Sequence, residues 1–109
     1  ELYLAMPEYD PLLLVWKKAD HEDAEQNLEK LSGLVETLTK ADFASVALLE
    51  AAIGRYISES ALKTGNVLWP MRVALSGRSA SPSPFELGWV LGREETLRRI
   101  EEARKKIRS

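Results

Sequence analysis

The sequence predicts an all-α fold, a compact bundle of about five to six helices. Apolar residues recur along most of the chain at intervals of three and four residues, which places them on one face of a helix. No segment shows the sustained alternation of apolar and polar residues expected of a half-buried strand. With 109 residues, 45% of them hydrophobic, the chain is long enough for one core and too short for two. We therefore expect a single domain over residues 1–109.

Proline and acidic residues mark the first two predicted helices. Asp10 suits the N-cap of a short helix with Pro11 at its first position, where the missing N–H costs nothing. A longer helix is expected to follow Asp20 as its N-cap. Its apolar residues repeat at helical spacing: Leu28, Leu31, Val35 and Leu38.

A capping pattern predicts the start of the next helix, at Thr39 and Asp42. The apolar stripe of that helix contains Phe43, Val46, Leu49, Ile53 and Ile57. Residues 63–66 predict a turn, because Gly65 and Asn66 tolerate the positive φ angles that a chain reversal needs.

Proline and glycine then bound two further helices. A short helix is expected with Pro70 near its start and Gly77 just past its end. After a loop of small residues, Ser83 and Glu86 form a capping box, with Pro84 at the first helical position.

Glycine also predicts the last helix boundary. Gly92 should end the helix that Ser83 caps, and a last helix should begin near Arg93. Glutamates on the last helix lie four residues before arginines or lysines, an arrangement that favours ion pairs on its solvent face. Its inward residues are expected to be Leu97, Ile100, Ala103 and Ile107.

Composition excludes several classes of site. The chain has no cysteine, so disulfides, cysteine zinc clusters and thiol nucleophiles are excluded, and its one histidine, His21, has no second histidine with which to form a metal site. It also lacks a glycine-rich phosphate loop and an HExxH motif. We therefore expect no catalytic residue and no metal ligand here. No apolar run approaches the roughly 18 residues that span a bilayer, which predicts a soluble, cytoplasmic protein without membrane contact.

Charge divides the chain into two halves. Residues 1–60 hold 12 acidic and 5 basic side chains, and residues 61–109 hold 5 acidic and 10 basic. An anionic partner is therefore steered toward the second half. There, Arg72 and the loop at 78–84 suit unpaired bases, because guanidinium planes and rings can stack on them. The loop also leads into a helix N-terminus, whose N–H groups favour phosphate.

Three segments in order carry a family resemblance. Residues 68–77 (LWPMRVALSG), 81–86 (SPSPFE) and 90–100 (VLGREETLRRI) resemble the C-terminal end of bacterial-type glutamyl-tRNA synthetases. That family typically ends with PLRVALTG, SPxLFE and LGKExxLxRI. The resemblance implies the last lobe of the helical anticodon-binding region of a class I synthetase, which joins glutamate to its tRNA. ATP and magnesium are then expected in a catalytic domain upstream, with no cofactor in these residues.

The resemblance also implies which residues touch tRNA. Arg72 matches the family's base-contacting arginine, and Ser81, Pro82 and Pro84 match the loop that cradles the first bases of the glutamate anticodon. Pro84 departs from the family pattern, which has a branched aliphatic residue at this position. Its place in the capping box gives it a structural role as well.

Arginines near this loop are candidates for phosphate contacts. Arg78, Arg98 and Arg99 could meet the tRNA backbone, with solvated ion pairs as the alternative for Arg98 and Arg99. Phe85 and Trp89 are expected to be core residues, because their spacing fits burial.

These observations predict a non-catalytic, monomeric domain that binds the anticodon loop of glutamate tRNA. The main alternative is a helical protein-interaction module whose basic last helix meets an acidic partner. A DNA-binding helix-turn-helix is a third interpretation. It is disfavoured because glutamates alternate with the basic residues and would face phosphates.

Overall fold

Four α-helices form the fold in the residues that the computed structural model describes, which are 8–15, 21–78 and 82–108. The helices are α1 (His21–Thr37), α2 (Val46–Glu59), α3 (Thr64–Ser76) and α4 (Pro84–Arg108). Two short 3-10 helices, Pro11–Leu14 and Lys40–Phe43, precede α1 and α2. No strand occurs in these ranges, so the all-α prediction is confirmed. The expected N-cap of α1, Asp20, lies outside the described residues.

The number of α-helices is smaller than the five to six predicted. The first segment forms only a 3-10 turn, which the Asp10 carboxylate caps by accepting the N–H of Leu12 at 2.9 Å. The last two predicted helices follow one another within α4, and Gly92 between them has non-helical angles, φ 85° and ψ 169°. Two helical segments therefore meet at a kink, and the predicted boundary at Gly92 is confirmed, although both segments are parts of α4.

The helix predicted from Thr39 begins later than expected. The Asp42 carboxylate accepts the N–H of Thr39 at 2.9 Å, as the capping pattern predicts. That cap opens only the 3-10 helix, and α2 starts after a second cap, Ser45, whose Oγ accepts the N–H of Leu48 at 3.1 Å. A serine side chain can satisfy an orphan N–H wherever the chain enters a helix, so two caps in succession divide this segment in two.

The turn between α2 and α3 also differs from the prediction. It lies at residues 60–62, where Ala61 has a φ of 56°. The N–H of Leu62 bonds to the carbonyl of Ile57 at 3.1 Å, which is the longer hydrogen bond of a Schellman motif. Residues 63–66 instead provide the N-cap and first turn of α3. Hydrogen bonding at the end of α2 therefore decides where the chain reverses.

Both ends of α3 can be compared with the prediction. The helix starts six residues before Pro70, which is buried inside it instead of standing near its start. The C-cap is Gly77, as predicted, with a left-handed φ of 74° and an N–H that bonds to the carbonyl of Val73 at 2.7 Å. Glycine reaches this conformation without the steric cost that a Cβ brings.

The core lies where α1, α3 and α4 pack against one another, and α2 packs on α4. An ideal Cβ added to Gly88 of α4 would lie 2.7 Å from Cδ2 of Leu49 on α2, so these helices approach closely. Within the described ranges no helix is both long and apolar enough to cross a membrane. The predicted apolar stripes are confirmed by fully buried residues, among them Leu28, Leu31, Val35, Leu49, Ile53, Ile100, Ala103 and Ile107.

Candidate nucleic-acid interface

The turn that follows α3 is held to the last turn of that helix. The hydroxyl of Ser76, which is buried, donates to the carbonyl of Arg72 at 2.8 Å. The same oxygen accepts the backbone N–H of Arg78 at 3.0 Å. Together with the left-handed Gly77, these two hydrogen bonds fix the backbone of the exposed Arg78 relative to the backbone of Arg72. Both predicted arginines therefore belong to one structural unit.

The start of α4 forms the other side of this region. Ser83 caps the helix by accepting the N–H of Glu86 at 3.1 Å, which confirms its half of the capping box. Pro84 is buried at the first helical position, where it packs inside the protein, and Pro82 is exposed. Burial favours the structural role of Pro84 over a base contact. Ser81, the remaining predicted contact, lies outside the described residues.

Burial separates the two neighbouring arginines of α4. The side chain of Arg98 is 58% exposed and donates to Glu95 at 3.1 Å. The side chain of Arg99 is fully buried, and its Nη1 donates to the carbonyl of Leu75 at 2.6 Å. The structure therefore corrects the expected phosphate contact at Arg99, because a buried guanidinium cannot meet a phosphate. Helix α4 turns that side chain toward α3.

Glu95 connects the same two arginines. Its Oε2 accepts from Nε of Arg99 at 2.8 Å, so the expected spacing of four residues does form an ion pair, but the buried Arg99 takes this pair off the predicted solvent face. Burial alone would raise the pKa of Glu95, but the hydrogen bonds and charges of Arg99 and Arg98 together lower it below 4.5.

The aromatic residues at the start of α4 have different surroundings. Phe85 is half-buried and packs against the core, as expected. Trp89 is 50% exposed, so its assignment to the core is wrong. The buried face of this part of α4 is formed by Leu87 and Gly88. Trp89 is turned about 100° from Gly88 around the helix axis, which brings the indole toward solvent.

One arginine of α4, Arg93, bonds to the end of α1. Arg93 donates from Nε to the carbonyl of Leu38 at 2.6 Å and from Nη2 to the carbonyl of Glu36 at 2.9 Å. The last carbonyls of a helix lack intrahelical partners, and an arginine is well suited to satisfy them. Arg93 therefore stabilises the contact between α1 and α4.

The acidic and basic halves of the chain meet at the surface where α1 lies beside α4. Arg108 of α4 forms an ion pair with Glu25 of α1 at 2.8 Å, and Arg104 lies 4.0 Å from Glu29 of α1. Arg104 also pairs with Glu101 at 3.0 Å. The acidic partners of these two arginines thus come from α1 and from α4 of the same chain.

Two residues that organise this region were not recognised from the sequence. Ser76 is a polar residue directly before a C-cap glycine in an otherwise apolar stretch, which is a local signal for a bonded hydroxyl. The role of Arg99 carries no such signal, because its partner carbonyl at Leu75 is distant in sequence.

Comparison with known proteins identifies the class. A family model described as "Anticodon binding domain" matches residues 1–104, and the chain therefore belongs to this family.

Similar curated proteins are glutamate-tRNA ligases. The chain is 36% identical over 105 residues to the enzyme of Lachnoclostridium phytofermentans, covering 95% of this chain and 21% of the relative. It is 38% identical over 95 residues to the enzyme of Herpetosiphon aurantiacus, covering 87% of this chain and 19% of the relative. It is 49% identical over 57 residues to glutamate-tRNA ligase 2 of Rhodospirillum centenum, and this match covers 52% of this chain and 12% of the relative. The chain thus spans about a fifth of the length of the first two relatives.

Proposed function

We propose that this chain is the anticodon-binding domain, in the C-terminal part, of a glutamate-tRNA ligase, and that it binds the anticodon loop of glutamate tRNA. The observation that supports this proposal most directly is the turn after α3, where the Ser76 hydroxyl bonds to backbone atoms of both Arg72 and Arg78. These residues lie in the segments that resemble the synthetase family. Membership in the anticodon-binding family supports the same assignment.

The chemistry of this turn suits unpaired RNA bases. Bases splayed from an anticodon loop can stack on a guanidinium plane or a proline ring and form hydrogen bonds through their edges. Arg72 and the exposed Pro82 supply such groups. Arg78 is exposed beside them, and the positive end of the α4 dipole begins at Pro84. Phosphates of the loop are therefore attracted to the place where the bases bind.

The proposal extends to the longer protein. Its catalytic domain would join glutamate to tRNA with ATP and magnesium, while these 109 residues would form one domain without a catalytic role. We further propose that the protein acts as a monomer in the cytoplasm.

A protein-interaction module is less well supported. That interpretation needs a basic last helix with cations directed at an external acidic partner. Arg108 and Arg104 instead pair with acidic residues of α1 or of α4 itself.

An NMR titration of the isotope-labelled chain tests the proposal. The ligand is the anticodon stem-loop of glutamate tRNA, and the control is the same stem with a scrambled loop. We expect shifts at Arg72, Arg78, Pro82 and their neighbours that weaken with the scrambled loop. Equal shifts with both loops would contradict the proposal, because electrostatic attraction alone does not depend on base sequence.

A further inference from the structure

We propose that Arg99 is a positioning residue that fixes the end of α3 and thereby orients Arg72 and Arg78 toward the anticodon. The inference rests on the proposed function, because its effect is measured in anticodon binding. Arg99 does not touch RNA itself, since its side chain has no exposed surface.

The contacts of Arg99 join the second part of α4 to the last turn of α3. Its Nη1 donates to the carbonyl of Leu75 at 2.6 Å, and its Nε donates to Glu95 at 2.8 Å. The carbonyl of Leu75 is one of the last four of α3, which have no partner within the helix. A charged donor at this distance is among the stronger hydrogen bonds of a protein. Arg99 therefore holds the end of α3 against α4.

The constraint continues into the turn through the backbone. The carbonyl of Leu75 and the nitrogen of Ser76 belong to one planar peptide unit, so fixing the carbonyl also fixes the direction in which Ser76 leaves the helix. Ser76 in turn bonds to the carbonyl of Arg72 and the N–H of Arg78. Hydrogen bonds and one peptide unit thus connect Arg99 to the backbone of both arginines of the proposed interface.

The energetics of burial favour a positioning role. A guanidinium loses its hydration when it is buried, and replacing a buried ion pair by apolar side chains is often neutral or stabilising. Burying Arg99 is therefore an inefficient way to gain stability. A methionine could fill much of the same volume but could not bond to the carbonyl of Leu75. The contact with Leu75 is the property that an apolar residue cannot replace.

The test compares Arg99→Met with Arg99→Lys and with a control, Arg104→Met. Arg104 lies on the same helix and bonds to Glu101 at 3.0 Å, so the control removes the same charge and an ion pair elsewhere on α4. For each variant of the 109-residue chain, affinities for the cognate and scrambled stem-loops are measured, together with helical circular dichroism and the amide shifts of Gly77 and Arg78. Arg99→Lys restores one charged donor.

We expect Arg99→Met to stay helical, to shift the amides of Gly77 and Arg78, and to reduce the preference for the cognate loop by about 3- to 30-fold. Arg99→Lys should recover part of this preference, and Arg104→Met should keep it. An unchanged preference in folded Arg99→Met would overturn the positioning role while leaving anticodon binding intact. A wild-type chain without cognate preference would instead refute the proposed function.

If Arg99→Met does not fold, Glu95→Gln decides the matter. This variant keeps Arg99 but weakens the acceptor that holds its Nε. A reduced cognate preference in the folded variant supports the positioning role, and an unchanged preference overturns it.

Discussion

Arg72 is the residue for which the proposed function makes its most direct prediction. Arg72→Ala should weaken binding of the cognate stem-loop by about 10-fold or more, because one specific arginine-base contact contributes roughly 1–3 kcal/mol. Isothermal titration calorimetry measures the affinity. Lys30→Ala is the control, since it removes one positive charge from an exposed position on α1. Loss of the folded NMR spectrum in Arg72→Ala would mean that the arginine stabilises the fold, and the site assignment would fail.

Ala61 is held in a conformation that suits glycine. Its φ of 56° places it in the left-handed region at the end of α2. Relief of this strain outweighs the entropy that glycine loses on folding, so Ala61→Gly should stabilise the protein by about 0.5–1 kcal/mol. Urea unfolding measures the difference. Ala51→Gly, at an exposed position inside α2, should destabilise by about 1 kcal/mol. Equal effects of the two substitutions would contradict the assigned backbone conformation.

The contact between α2 and α4 depends on the absence of a side chain at Gly88. An added Cβ would lie 2.7 Å from Cδ2 of Leu49, and that leucine is fully buried and has little room to move. Gly88→Ala should therefore destabilise the fold by about 1–3 kcal/mol in thermal or urea unfolding. The matched control is Gly33→Ala in α1, where an added Cβ meets nothing within 4 Å. We expect Gly33→Ala to stabilise by up to about 1 kcal/mol, and destabilisation there would contradict the open space around it.

The junction of α3 and α4 should lose stability in acid through Glu95. A carboxyl whose pKa is lower in the folded state stabilises the fold at pH values above its pKa in the unfolded chain. It loses that contribution as the pH falls through its pKa in the folded state. The hydrogen bonds and charges of Arg99 and Arg98 hold the pKa of Glu95 below its ordinary value. Glu95→Gln should therefore be less stable than wild type at neutral pH, and the difference should shrink below about pH 4.5. Urea unfolding across this range measures it. A difference that stays constant with pH would argue against ionisation of Glu95 as its source.

The whole chain should unfold in one transition, because its α-helices share one core. The first 3-10 helix joins that core through Trp69 of α3, whose Nε1 donates to the carbonyl of Leu13 at 2.8 Å. In a variant with Trp16→Phe and Trp89→Phe, the fluorescence of Trp69 should change together with the helical circular dichroism. An earlier fluorescence transition would mean that the 3-10 helix undocks before the helices unfold.

At the scale of the molecule, the charge asymmetry has a different consequence from the one that composition suggests. The sequence predicts that the basic half attracts an anionic partner. In the structure, Arg108 pairs with Glu25 and Arg104 lies near Glu29, so α1 neutralises part of that charge. Arg78, on the turn after α3, remains exposed. The local arrangement of charge therefore limits where an anionic partner is attracted.

Local sequence was sufficient for the fold class, the apolar faces of the helices and several of their ends. Gly77 and Ser83 end and begin helices as expected, because capping depends on residues close in sequence. The family resemblance also proposed Arg72 and the loop at 78–84 as the candidate site, and Ser76 bonds to the backbone of both Arg72 in α3 and Arg78 on the turn after it. These features were predictable because each is determined within a few residues.

Tertiary packing decided what periodicity could not. Arg98 and Arg99 are neighbours of the same type, yet one is exposed and the other is buried against the carbonyl of Leu75. Trp89, apolar and at helical spacing, is half exposed. Sequence alone determined which residues share a helical face. The position of α3 against α4 determined which face is covered, because burial depends on neighbours that are distant along the chain.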